Sequence, residues 1–168
     1  MKENAAYWIK KLELTKHVEG GYFKENYRSD LLIAKEHLPE SFHGNRPAST
    51  SIYFLLEKEQ FSALHRIASD EIWHFYVGDC ITIYEFKEDG HLTEHHLGND
   101  PEKNESFQVL INAGSWFGAK LKNGGEYALV GCTVAPGFDF AEFEMAERSF
   151  LLQLYPAHTN LIMSLTRW

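Results

Sequence analysis

Between Ser49 and Val134 one pattern recurs eight times: a short run rich in β-branched and aromatic residues, then a break. The runs are SIYFLL, FSALHRI, EIWHFYV, CITIYEF, HLTEHHL, SFQVLI, SWFGAKL and YALVGCTV, separated by Gly-Asp, Asp-Gly, Asn-Asp-Pro and Asn-Gly-Gly. Many short strands with turn chemistry between them specify an antiparallel sandwich or barrel of jelly-roll type and argue against a parallel α/β sheet. Glu88-Asp89-Gly90 is the clearest hairpin signal. At 168 residues and 44% hydrophobic content, with four Trp, eight Tyr and twelve Phe, the chain fits one domain, 1–168, with a sizeable core.

The flanks read differently. Glu3 to Lys11 is amphipathic, with Ala5, Trp8, Ile9 and Leu12 at helical spacing, and predicts a helix lying on a sheet. Gly20-Gly21 breaks the chain before an alternating strand from Tyr22 to Arg28. Residues 29 to 48 form an excursion with at most one helical turn near Leu31 to His37, long enough to act as a lid or an interface. After Pro136-Gly137 the chain predicts one or two helices broken at Pro156 and packed outside the barrel.

The net charge of −8, with no basic cluster longer than Lys10-Lys11, lacks the electrostatic footprint of a nucleic-acid binder. No apolar run reaches the roughly 18 to 20 residues of a membrane span, and the N-terminus carries no signal-peptide pattern. A soluble cytoplasmic protein is expected, with no membrane partner. Cys80 and Cys132, each in apolar strand-like sequence, read as buried reduced thiols.

The stretch FSALHRIASDEIWHFYVGD carries the candidate chemistry. It reads as two strands joined up-and-back at Ser69-Asp70, so that His65 and Glu71 reach one cavity. Alternation puts Trp73, Phe75 and Val77 on the face of Glu71 and turns Ile72, His74 and Tyr76 away. The spacing resembles the first motif of the cupin superfamily: Gly, five residues, His-x-His, three or four residues, Glu, six residues, Gly. His65, Glu71 and Gly78 match it, Ile67 stands for the second histidine, and Glu59 or Gln60 for the leading glycine. In the best match to the second motif, Asn112 to Phe117, Asn112 replaces the proline, Phe117 the histidine and Leu121 the asparagine. Together with HVEGGYFKENYRS, SIYFLL and GCTVAPGFDFAEFE, these segments resemble the cupin branch known as domain of unknown function 985, over essentially the whole chain. The resemblance implies an all-β, cupin-type double-stranded β-helix with flanking N- and C-terminal helices, a homodimer, and a pocket inside the barrel, but brings no established reaction.

His65, Glu71, Tyr22 and Tyr53 are the candidate catalytic residues. Ligand contacts are expected from Glu19, Phe23, Lys24, Ser62, Trp73, Phe75, Trp116, Phe138 and Phe140. His65 is expected to face an apolar wall that includes Trp73 or Phe75, and Glu71 to orient His65, bind a metal or pair with Arg66 or Arg28. His95-His96 reads as a solvated pair. Only two of the four usual metal ligands are in register, so no cofactor is predicted. The function expected is binding of a small molecule in an aromatic-lined pocket without a metal. The alternatives are a metal-independent epimerase or isomerase of a carbonyl or sugar-type substrate with His65 as base, and a metal-dependent cupin enzyme. Tyr22 to Arg28 and Ser49 to Leu56 are the expected open edges of a homodimer interface.

Overall fold

The computed structural model describes residues 4–167. Helix α1 (Ala5–Leu12) is capped by the Asn4 side chain, which accepts from the Tyr7 amide, and stops where Glu13 turns left-handed. Glu3, where the sequence pattern begins this helix, lies outside the described residues. Thirteen strands follow among the described residues: β1 (Thr15–Lys16), β2 (Tyr22–Arg28), β3 (Leu32–Ile33), β4 (Arg46–Pro47), β5 (Thr50–Glu57), β6 (Phe61–Arg66), β7 (Asp70–Gly78), β8 (Ile81–Phe86), β9 (Leu92–Leu97), β10 (Gln108–Ile111), β11 (Trp116–Leu121), β12 (Tyr127–Ala135) and β13 (Glu144–Met145). Helices α2 (Arg148–Leu154) and α3 (Thr159–Ser164) close the chain on either side of Pro156. No described helix is long and apolar enough to cross a membrane.

The strands form two facing antiparallel sheets of jelly-roll type, ordered β1-β2-β5-β12-β7-β10 and β13-β6-β11-β8-β9, with β3 and β4 paired apart. Between the sheets lies the main core, where Phe54, Leu56, Trp73, Val130 and Cys132 of one meet Ile81, Ile83, Phe117 and Ala119 of the other. Outside the six-stranded sheet, α1 covers Leu55, Leu129, Tyr22, Tyr53 and Val77. Outside the five-stranded sheet, Leu151, Tyr155, Ile162 and Leu165 of the C-terminal segment cover Leu64, Phe86 and Trp116.

Among the described residues regular pairing is broken at three places, and each break changes which side chains face inward. On β2, Glu25 pairs with Ile52 and Tyr27 with Ser51, so Asn26 is an extra residue. On β6, His65 pairs with Phe117 and Ser62 with Ala119, leaving Ala63 and Leu64 opposite Gly118 alone. On β7, Phe75 pairs with Val130 and Val77 with Leu129, so Tyr76 is extra and Val77 turns outward beneath α1, against the regular alternation expected. Nor are β6 and β7 an up-and-back pair: β6 pairs with β11 and β13, β7 with β10 and β12, and residues 67–69, ending at Ser69, carry the chain from one sheet to the other. The open edge expected at Ser49 to Leu56 is also absent, because β5 is paired on both sides.

The docking of α2 gives a direct test. Leu151 is fully buried at 0% exposure while Leu154, one turn on, is 48% exposed. Leu151→Ala is expected to lower unfolding free energy by about 2 to 5 kcal/mol in a urea titration, and Leu154→Ala by less than about 1 kcal/mol.

Candidate functional site

The turn between β1 and β2 sets the site. Gly20, at φ +119°, presses so closely on the Phe61 carbonyl that a Cβ would collide with it. This close approach brings Glu19 under the opposite sheet, where its carbonyl accepts from the Ala63 amide at 2.9 Å and from Arg167 Nη2 at 3.0 Å. The Glu19 side chain is buried, with the residue only 7% exposed. Ser62 Oγ donates to its Oε1 at 2.8 Å, and His65 Nε2 lies 3.2 Å from its Oε2. Ser62 and His65 are three residues apart and reach the same carboxyl because of the extra residue in β6; in a regular strand they would face opposite ways.

The proton inventory here is constrained. His65 Nδ1 is 2.7 Å from the Ala63 carbonyl, which can only accept, so Nδ1 carries a hydrogen. The Nε2 to Oε2 contact then needs a second proton, shared between ring and carboxyl. His17 Nδ1 lies 3.5 Å from the same Oε2 and accepts from the Glu19 amide at 3.3 Å. Burial pushes the His17 pKa down, with the Glu19 charge opposing and His65 adding to the depression.

Glu71 lines the same cavity from β7, at 7% exposure. Burial, reinforced by the charge of Glu19, pushes its pKa from 4.5 up to about 8, against the opposing pull of the Cys132 thiol and the Trp73 indole. Cys132 is itself raised well above the ordinary thiol range, first by burial and then by Glu71. The Trp73 indole lies close enough to Glu71 to act on it, yet its Nε1 completes no hydrogen bond of good geometry.

These groups form the polar side of a cavity of about 200 Å³, with Phe23, Ile52, Ile67, Val134, Phe138, Phe140 and Phe143 as apolar wall, the buried Thr50 among them, and Glu25, Arg28 and Asp139 toward solvent. Arg28 holds Glu25 with Nε at 2.9 Å and Nη2 at 2.8 Å, and reaches the Phe138 carbonyl at 3.2 Å. The 138–143 wall is tied to the 29–48 excursion by a buried ion pair: Arg46 Nε donates to Glu142 Oε2 at 2.7 Å, its Nη2 to Oε1, and the His43 amide to Oε1 at 2.8 Å.

Of the residues singled out in the sequence, His65, Glu71, Glu19, Phe23, Phe138 and Phe140 line the cavity, with Ser62 directly behind Glu19. Tyr22 and Tyr53 do not: both lie on the other face of the sheet, under α1. Lys24 is on the surface with Glu13, 2.6 Å away. Trp116 packs outside the barrel beneath Arg66, 4.5 Å from its ring. Trp73 and Phe75 belong to the core between the sheets, and the rings against His65 are Phe117 at 4.2 Å and Phe143 at 5.3 Å. Glu71 meets neither expected arginine, since Arg66 pairs with Glu144 and Arg28 with Glu25. His74 faces outward to Thr133 Oγ1 at 3.0 Å. His95 is no solvated bystander: it holds the buried Glu85 at 2.9 Å. The sequence reading missed His17, Glu25, Arg28, Cys132, Asp139 and Phe143; the nearest signal was His17, two residues before Glu19 in the segment of family resemblance.

The cupin metal does not fit these residues. Of the four ligand positions, Ile67 and Phe117 offer no donor atom, and both nitrogens of His65 are engaged within the protein. Among the described residues no group of three or more His, Cys, Asp or Glu side chains is arranged to hold a metal ion.

The raised pKa of Glu71 fixes a pH dependence. Its folded form holds a proton that the unfolded chain releases, so its contribution to stability is full below about 4.5, falls as pH rises, and is lost above about 8. Wild-type protein is expected to lose up to about 3 to 5 kcal/mol across that window, and Glu71→Gln to lose much less, read from denaturation midpoints at several pH values.

Comparison with known proteins agrees with this architecture. A structure of protein SO0799 from Shewanella oneidensis is similar at 40% identity and TM-score 0.87, covering 98% of each chain. A hypothetical protein from Leishmania major is similar at 32% identity and TM-score 0.90, covering 99% of this chain and 100% of the other. An uncharacterised Saccharomyces cerevisiae protein, YML079W, is 30% identical over 141 residues, covering 77% of this chain and 69% of the relative. The family pattern Cupin_5, described as Cupin superfamily (DUF985), matches residues 6–146, and the chain belongs to that family.

Proposed function

We propose that this cupin binds a compact small molecule in the cavity between its sheets and exchanges a proton with it at Glu19, without a metal ion. The observation that carries this reading is the arrangement around one carboxyl: Ser62 holds Oε1, His65 holds Oε2, and the residue lines the cavity. His65 has both nitrogens committed, so it acts as a positioning residue that shares a proton with Glu19. Glu19 takes the place of the base. A carboxylate in an apolar cavity, with an imidazole to share the charge, suits removal of a proton from carbon beside a carbonyl and its return, on the same face, to a neighbouring atom. Such an isomerisation needs no oxidant and no second protein acid, consistent with Tyr22 and Tyr53 lying on the far side of the sheet.

The test is deuterium uptake from heavy water at the carbon beside the carbonyl, followed by proton NMR over a panel of small carbonyl compounds that bind. Glu19→Gln is expected to reduce exchange by about a hundredfold or more, the scale of general base catalysis. His65→Asn should reduce it less and move its pH profile, while Tyr22→Phe and Tyr53→Phe leave the rate unchanged. Binding of panel compounds with no exchange on any of them rejects the proton-transfer part.

We also infer a homodimer. Tyr27, Ile72 and Leu110 are exposed and occupy one row across the outer face of the six-stranded sheet, through the pairings Tyr27–Ser51–Thr133–Ile72–Leu110. Light scattering is expected to give twice the chain mass at micromolar concentration, and Ile72→Glu with Leu110→Glu to return the chain mass.

A further inference from the structure

One buried ionisable group has no part in proton transfer at Glu19. Glu71 lines the cavity at only 7% exposure, yet the charged residue that acts on it is the like-charged Glu19, and its polar company is the Cys132 thiol and the Trp73 indole. Among the described residues the Trp73 Nε1 beside it completes no hydrogen bond of good geometry. The other acids of the cavity are provided for. Glu19 has His65, Glu25 has Arg28, and Asp139 acts on that same Arg28. A buried carboxyl without a counter-charge keeps its proton, and a cation brought in from outside the chain would let it ionise.

The lining opposite shows what kind of partner suits it. Phe138, Phe140 and Phe143 meet edge to face at 4.9 to 6.1 Å, and Phe23 completes the apolar side. Aromatic faces attract cations and give nothing to an anion. An anionic ligand would bring a further negative charge beside Glu19 and hold Glu71 in its protonated form, a neutral one would leave Glu71 protonated, and a cation lets it ionise and form a charged pair. We propose that the cavity takes a small organic cation, an ammonium compound of about ten non-hydrogen atoms or fewer, whose nitrogen pairs with Glu71 among the phenylalanine rings. This names the chemical class of the small molecule proposed to bind in the cavity, and rests on that reading.

Pairing with Glu71 gives the binding a pH dependence of definite sign. The titratable and charged groups that share the cavity with Glu71 are Glu19 and His17 from the turn before β2, Glu25 and Arg28 from β2, His65 from β6, Cys132 from β12 and Asp139 from the 138–143 wall. None of them supplies it with a free positive charge, since His65 is tied to Glu19, Arg28 is held by Glu25, and burial holds His17 toward its neutral form. Without ligand, the Glu71 carboxyl keeps its proton up to about pH 8. An ammonium pairs with the ionised form, so binding below that pH releases a proton. Affinity then rises with pH, approaching roughly tenfold per unit below about 8 and levelling above it.

Choline, its uncharged isostere 3,3-dimethylbutan-1-ol and the anion 3,3-dimethylbutyrate separate charge from shape. Titrated by calorimetry into the full chain, choline is expected to bind about tenfold or more tightly than the alcohol at pH of about 8.5, with the butyrate weakest. The advantage should shrink toward pH of about 6.5, with proton release seen as a dependence on buffer ionisation heat. Glu71→Gln should remove the choline advantage and its pH dependence while the alcohol stays within about threefold of wild type. The wild-type pH series stands without that variant, should the variant fail to fold. Alcohol binding with no choline advantage overturns the cation while leaving the small-molecule reading intact; a choline advantage that ignores pH overturns the pairing with Glu71, and binding of none of the three at about 10 mM overturns the proposal as a whole. A choline preference without any deuterium exchange would reject the proton transfer and keep the cation.

Discussion

The buried contact between Glu19 and His65 is the constraint on which the cavity depends, because it ties the two sheets together at one end. Glu19 comes from the turn that leads into the six-stranded sheet, and His65 and Ser62 come from the five-stranded one. Ala63 works on both partners, its amide holding the Glu19 carbonyl and its own carbonyl holding His65 Nδ1. Removing two ionisable groups from water is expensive, and such pairs contribute more to fixing geometry than to net stability. What is fixed here is a carboxyl whose remaining free direction is the cavity.

The extra residues on β2 and β6 do comparable work elsewhere around that cavity. Each lets side chains three apart share a face: Glu25 with Arg28 on β2, Ser62 with His65 on β6. On β7 the irregularity falls after the site, at Tyr76, so Glu71 keeps the inward register while Val77 is released to the packing under α1. Bulges re-aim side chains at the cost of one unpaired residue, and in this chain they bring polar groups to an otherwise apolar interior.

This division explains what the sequence could and could not disclose. The strands from Ser49 to Val134, the Tyr22 to Arg28 strand and the terminal helices are legible because each is written in a local period of two or 3.6. His65 and Glu71 do line one cavity, although not through the up-and-back strand pair on which that expectation rests. Which of two neighbouring aromatics faces inward is less accessible. Tyr22 and Phe23 are adjacent, as are Trp116 and Phe117, and in each pair it is the Phe that turns in. The Glu19 to Ser62 and His65 contacts span more than forty residues and depend on a bulge and on a glycine turn with no periodic signature. Sequence adjacency also misled at Ser69-Asp70, because the three-residue link 67–69 serves a sheet crossing as well as a hairpin.

The aromatic side of the cavity has a separate origin from its polar floor. Phe138, Phe140 and Phe143 sit on a segment anchored through Glu142 to Arg46, outside the hydrogen-bonded ladders of the two main sheets. The barrel carries the acid-base groups and the loop carries the shape. A lineage could therefore exchange the loop's rings, or trade its length against the 29–48 excursion, and acquire a different ligand while inheriting the chemistry of Glu19 and His65 unaltered. Within such a family, divergence in what is bound would run ahead of divergence in fold.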